Sequence, residues 1–160
     1  MTILSQIESK IVSLPDVAKF VSTLKADEQK IVFTNGCFDV LHYGHVCYLS
    51  KAKDLGDKLI VGLNSDASVR RLKGETRPIN GQKERATLLA AFSFIDAIVV
   101  FDEDTPENLI KKVKPDFLVK GGDYTFETIV GAEFVSSYGG KVITIPFVEN
   151  FSSTSIIKRL

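Results

Sequence analysis

Two kinds of apolar run alternate along the chain. Leu14, Val17, Ala18, Val21 and Leu24 recur at helical spacing between Ser13 and Leu24, which predicts a helix with Ser13 as its N-cap and Pro15 in its first turn. The second kind is short and continuous: 31–34, 59–63, 97–101, 117–119 and 142–145. Such runs predict strands buried on both faces, because a strand with one wet face alternates instead. Between and after them, helical spacing returns over 46–55 (stopped by Gly56), 83–94, 105–113, 132–138 and 152–160. Asp104 or Thr105 is the expected cap of the helix that Pro106 opens.

Strand and helix thus alternate five times, which predicts an α/β fold: a doubly wound, five-stranded parallel sheet covered by helices. The whole chain, 1–160, is expected to form one domain, with 1–29 as a helical extension ahead of the first strand. No internal repeat, low-complexity tract or linker interrupts it. The polar stretch 64–82 is read as one long loop, and such loops in compact domains are usually functional or disordered. In this architecture ligands bind beyond the carboxyl ends of the strands, so chemistry is sought just after each strand.

Composition narrows the classes. Lys+Arg and Asp+Glu each number 20, and this balance argues against a nucleic-acid binder, which carries a basic excess. No apolar run approaches the length of a membrane span, and no secretory leader is visible in 1–10. Cys37 and Cys47 are too far apart for a CxxC motif and read as thiols of a reducing compartment. A cytoplasmic location with no membrane partner is the expectation.

The most informative residues follow the first strand. The only two histidines, His42 and His45, flank Gly44 where the chain enters its first crossover helix. A helix start offers free N–H groups and partial positive charge, imidazole N–H groups donate to phosphate oxygens, and Gly44 leaves room for a phosphate. Neither a Walker loop nor GxGxxG is present, and no further ligands at zinc spacing accompany the pair. Two structural histidines are the plain alternative. Lys73, Arg77 and Arg85, in or beside the polar stretch, read either as solvated charge or as neutralisation of a triphosphate and an acceptor phosphate. Lys120 precedes Gly121 and Gly122, a pair that lets backbone approach a ligand, and Asp123 is placed to accept from sugar hydroxyls; a turn without a ligand is the alternative.

The segment Gly36-Cys37-Phe38-Asp39-Val40-Leu41-His42-Tyr43-Gly44-His45 resembles the HxGH signature of the cytidylyltransferase-like nucleotidyltransferases. The resemblance implies a Rossmann-like sandwich. His42 and His45 would contact the α- and β-phosphates, Lys73 would reach the α-phosphate, and Arg85 would contact substrate phosphate. Thr34, Asn35, Gly36, Phe38, Gly44 and Asn64 would line the nucleotide pocket. Ser152, Ser153 and Thr154 match the family's Ser-Thr-Thr-x-Ile stretch for the β- and γ-phosphates, with a serine at 153 for the usual threonine. The segments 64–69, 77–80, 101–107 and 120–133 resemble one branch, the D-glycero-D-manno-heptose 1-phosphate adenylyltransferases, with Asp39, Arg77, Arg85 and 120–123 on the acceptor side. This implies ATP and a sugar phosphate as substrates, Mg²⁺ bridging the triphosphate with no protein metal site, a separate sugar kinase as supplier, and a homodimer. A glycerol 3-phosphate cytidylyltransferase and a non-catalytic nucleotide-binding module are the rivals.

Overall fold

A computed structural model describes residues 1–160. Five strands form one sheet: β1 (Ile31–Gly36), β2 (Lys58–Asn64), β3 (Ala97–Phe101), β4 (Phe117–Gly121) and β5 (Lys141–Ile145). Their order is β3-β2-β1-β4-β5 and every pairing is parallel. The chain winds outward from β1 to β3, then crosses back to add β4 and β5 on the other side of β1. The direction of winding therefore reverses between β1 and β4, and such a switch point leaves a crevice at the carboxyl ends.

The registers show that crevice opening. β1 stays paired with β2 as far as Gly36–Leu63, but with β4 it pairs only at Val32–Phe117 and Phe33–Leu118. Beyond those two pairs the central strands part. Tyr48 fills the fork: its hydroxyl lies 2.5 Å from Thr34 Oγ1 and donates to the Val119 carbonyl at 3.2 Å. A carbonyl that lost its ladder partner is thereby satisfied.

At the opposite end the strand starts are pinned by carboxylates. Asp57, Asp96 and Asp116 each accept a backbone N–H of a neighbouring strand or its lead-in, from Lys30, Leu59 and Ile31, all at 2.8 Å. Asp96 also holds Lys53 at 2.6 Å and Lys58 at 3.3 Å.

Side chains alternate across each strand, so two cores form. Ile31, Phe33, Ile60 and Leu118 face one layer, built by α2 (Val17–Ala26), α6 (Glu107–Val113) and α7 (Ala132–Ser137). Val32, Leu59, Val61 and Val119 face the other, built by α3 (Tyr43–Lys53) and α5 (Gln82–Ala90). Burial of both faces explains the unbroken apolar runs in the sequence. The first 29 residues are part of this frame. After a short helix α1 (Ile3–Glu8), Lys10–Val12 bonds to both polar groups of Ile98 on the free edge of β3, and α2 gives Val17, Val21 and Leu24 to the first core. An unpaired sheet edge is thereby covered.

Two expectations need correction. The stretch 64–82 is not one loop, because it contains α4 (Asp66–Lys73). Ser65 caps this helix by accepting from the Ser68 amide at 3.1 Å, and Gly74, at φ 102°, ends it. The crossover helix α3 begins at Tyr43, three residues before the expected start, so His42 is its N-cap and His45 lies in its first turn. The chain closes with α8 (Ser153–Ile157).

Candidate active site

A cleft of about 620 Å³ lies over the carboxyl ends of β1 and β4, within the size range of small-molecule sites. Asn35, Gly36, Phe38 and Asp39 enter it from the end of β1, Asn64 from β2, and Lys120 and Gly121 from β4. His42, Gly44 and His45 enter from the start of α3, Lys73 from the end of α4, and Ser152 to Thr154 from α8.

The imidazoles are its centre. Their rings stack with centroids 3.8 Å apart, and Phe38 meets His45 edge-on at 5.1 Å. His42 Nδ1, His42 Nε2 and His45 Nδ1 are buried and bond to nothing in the protein. Buried polar atoms without partners are rare and costly, so three in two adjacent rings mark a place prepared for a polar ligand. Burial and the neighbouring His42 ring lower the His45 pKa to about 4, and burial lowers that of His42. Both rings are therefore neutral near pH 7, each with one N–H to donate. The amides of Tyr43 and Gly44 at the start of α3 make no hydrogen bond, and the helix dipole adds to their pull on an anion. A Cβ on Gly44 would lie 3.0 Å from the His42 ring and 3.1 Å from Phe151 Cβ, so glycine there keeps the ring and α8 close together.

Local backbone sets the aim of these groups. Phe38 has φ 44°, an unusual conformation for an aromatic residue, and its ring folds back over Gly36. A Cβ at Gly36 would come within 2.9 Å of that ring. The turn sends Asp39 inward, where its carboxylate accepts from Arg77 Nε at 2.6 Å, from the Ile79 amide at 2.8 Å and from the Asn80 amide at 2.9 Å. Burial pushes the Asp39 pKa up, but the Asn80 and Ile79 amides and Arg77 outweigh it and hold the carboxyl below its ordinary value. The clasp ties the loop 74–81 to the histidine segment. It also leaves the terminal nitrogens of Arg77 free of bonds within the chain, at the wall of the cleft.

Arg85 has a different place from the one expected. It is fully buried and does not line the cleft. Its guanidinium donates to the carbonyls of Cys37, Asn64 and Asn80 at 2.7, 2.8 and 3.0 Å, and to Asp66 at 2.8 Å. Bonded to the ends of β1 and β2, to the start of α4 and to the loop before α5, it is a hub that sets the walls, not a phosphate ligand. Thr34 is likewise buried and bonded to Tyr48, away from the cleft. Gly122 and Asp123 lie outside it, Asp123 exposed.

The remaining expected residues are in place around the space. Lys73, Arg77 and Lys120 make the lining cationic, and burial lowers the Lys120 pKa. Ser152 caps α8 by accepting from the Ser155 amide at 3.0 Å, and Ser153 donates to the Val40 carbonyl at 3.0 Å, which ties α8 to the histidine loop. Of these three hydroxyls only that of Thr154 is uncommitted. Sequence reasoning missed Tyr48, Thr105, Tyr124, Thr128, Phe147 and Phe151, which also line the cleft. Their common signal was position after a strand or beside a motif, not residue type.

Comparison with known proteins shows the family and the fold. A family model described as cytidylyltransferase-like matches residues 33–159. The bifunctional protein HldE of Geobacter sulfurreducens is 56% identical over 153 residues, which is 96% of this chain and 31% of that protein. HldE of Campylobacter jejuni subsp. jejuni is also 56% identical over 153 residues, 96% of this chain and 32% of its own length. The chain thus spans about a third of the curated relatives it matches. Among solved structures, a lipopolysaccharide core biosynthesis protein from Thermoplasma volcanium GSS1 superposes with a TM-score of 0.60 at 28% identity, covering 77% of this chain and 99% of its own. A pantoate-beta-alanine ligase from Francisella tularensis shares the fold with a TM-score of 0.59 at 19% identity, covering 92% of this chain and 75% of its own.

Proposed function

The chain belongs to the cytidylyltransferase-like family, and on that premise we propose that it transfers AMP from ATP to a heptose 1-phosphate, giving ADP-heptose and pyrophosphate. The observation that carries this reading is the pair of stacked imidazoles whose buried nitrogens lack partners at the switch point of the sheet. The high identity to HldE proteins and the lipopolysaccharide core protein among the structural neighbours support a sugar phosphate as acceptor.

In the reaction an acceptor phosphate oxygen attacks the α-phosphorus in line. A new O–P bond forms as the bond from that phosphorus to the α,β-bridging oxygen breaks, and pyrophosphate leaves. The attacking oxygen is already ionised at neutral pH, so no general base is required. What the site contributes is position and charge stabilisation, which account for most of the catalysis in transfer at phosphorus. His42 and His45 donate N–H groups to the phosphate oxygens as charge builds. Lys73 supplies a cation from the end of α4, and Arg77 presents its free terminal nitrogens to the acceptor phosphate. Asn35, Gly36, Phe38, Gly44 and Asn64 border the nucleotide, with Ser152, Ser153 and Thr154 beside its outer phosphates.

Nowhere does the chain bring together three or more His, Cys, Asp or Glu as a metal cage. At the cleft Asp39 is engaged by Arg77 and Asp104 by Arg71, so Mg²⁺ bound with the nucleotide would be held mainly by triphosphate oxygens and water and would offset their negative charge. The acceptor must come from a phosphorylating reaction of the sugar kinase class, and a homodimer is the assembly we favour. No helix of the protein is long and apolar enough to cross a membrane.

Pyrophosphate release tests the reading directly. ATP with a heptose 1-phosphate is expected to turn over, and CTP with glycerol 3-phosphate is not. Turnover with the second pair alone would replace the proposed substrates. ATP binding without release for any sugar phosphate would make this a nucleotide-binding module.

A further inference from the structure

Phe147 is 68% exposed, although it sits at the cleft rather than on an outer surface. The ring rests against the end of β4. It lies over the Gly121–Gly122 backbone so closely that a Cβ on Gly121 would be 2.8 Å from its ring, and one on Gly122 would be 2.4 Å away. Gly122 also has φ 96°, which favours glycine on its own account. Its amide donates to the Ile145 carbonyl at 2.9 Å and so fixes the seat to the end of β5, two residues before Phe147 itself. The glycine pair, expected from sequence to admit a ligand, admits this aromatic ring instead.

Most of the ring is left open at the cleft. An aromatic ring backed by rigid backbone and open toward a cleft is what a flat ring of a ligand stacks on. Phe147 lines the same cleft as the two imidazoles and Asn64. The space is rimmed further by the Tyr124 ring, itself under the Lys120 ammonium at 5.5 Å. A nucleobase meets such a ring with a flat π-face, whereas a sugar offers it only C–H groups, so the base is the better match.

We infer that Phe147 is the stacking platform for the nucleobase, held in place by the Gly121–Gly122 seat. The inference rests on the nucleotidyltransferase reading and adds to it a residue that binds the base and leaves the phosphates alone. A stacked base is held by contact area and not by hydrogen bonds, so Phe147 sets affinity for the nucleotide while discriminating little among bases.

Two probes that differ only in the nucleoside test it: ATP and inorganic tripolyphosphate, each with Mg²⁺, titrated calorimetrically into the full chain. Phe147→Ala is expected to weaken ATP about tenfold or more, the scale of a lost base–aromatic contact, and to leave tripolyphosphate binding within about twofold. Phe147→Trp is expected to restore ATP binding. In turnover the alanine variant should raise KM for ATP, with kcat and the acceptor KM nearly unchanged. Equal weakening of both probes would show a structural effect on the start of α8 and overturn the inference. Unchanged ATP affinity, or tighter binding because a ring had been blocking the cleft, would overturn it as well. If the wild-type chain bound no ATP, the nucleotidyltransferase reading would fall first. If the wild type bound ATP and Phe147→Ala bound it equally, only this platform would fall.

Discussion

His42 and His45 show why residue type alone is a weak guide and placement a strong one. Two histidines three residues apart are compatible with plain packing. The same two at the N-cap and first turn of α3, stacked and with three nitrogens unpartnered, are not. Replacing either by alanine is expected to cut pyrophosphate release about 10²–10³-fold, the usual cost of one donor to a developing oxyanion. Wild-type turnover of His45→Ala would remove its assigned role. NMR titration checks the electrostatics. Free His45 should titrate near pH 4, well below its ordinary 6.5, and bound triphosphate should move it upward because nearby anionic charge favours the protonated ring. Arg85 carries the opposite lesson. From sequence it reads as a solvated cation or a contact to substrate phosphate, because nothing local reveals that a helical arginine points inward. Its role as a hub depends on the carbonyls of Cys37 and Asn64, distant in the chain, as well as on that of nearby Asn80. Tyr48 was silent for the same reason, since its partners are the two strands that part at the switch point.

Among the elements, the five strands were legible because each is buried on both faces and so written as an apolar run. α4 was hidden because it is short and strongly polar along its whole length. Ser68 and Val69 are its buried residues, and Ser68 is held by Asn64 and the Glu103 carbonyl. Its eight residues carry only three apolar side chains, Ala67, Val69 and Leu72, too few in a charged segment to stand out as a helical stripe. Its ends did carry signals, Ser65 before and Gly74 after. The connection from α4 to α5 depends on two charged groups, and each makes an expectation. Arg85→Ala should destabilise the protein by about 3–5 kcal/mol in chemical denaturation, because it strands several buried acceptors. Arg85→Lys should recover little of this, since a single ammonium does not span the fork. A loss under about 1 kcal/mol would contradict the hub. Asp39→Asn should release the loop 74–81 and raise KM for the acceptor more than for ATP, because the freed segment carries Arg77.

For the whole molecule, the sheet order places every proposed phosphate contact at one end, while the aspartates that pin the strand starts sit at the other. Part of the stability is thereby built away from the site, while Arg85 and Asp39 brace the site itself, which also keeps groups that weaken the fold. The two neutral imidazoles are such groups. Their folded pKa values lie below the unfolded 6.5, so the unfolded chain takes up protons first as pH falls. Stability should therefore decline from pH 6.5 toward pH 4, and His42→Gln with His45→Gln should flatten that decline. Asp39 acts at lower pH, since its depressed pKa gives a contribution that persists above the ordinary 3.8 and is lost as pH falls below it. The measurement that bears most directly on the account is a crystal structure with a non-hydrolysable ATP analogue and Mg²⁺. Phosphate oxygens are expected about 2.7–3.2 Å from ring nitrogens of both His42 and His45. A triphosphate bound elsewhere, with those nitrogens still unpartnered, would contradict it.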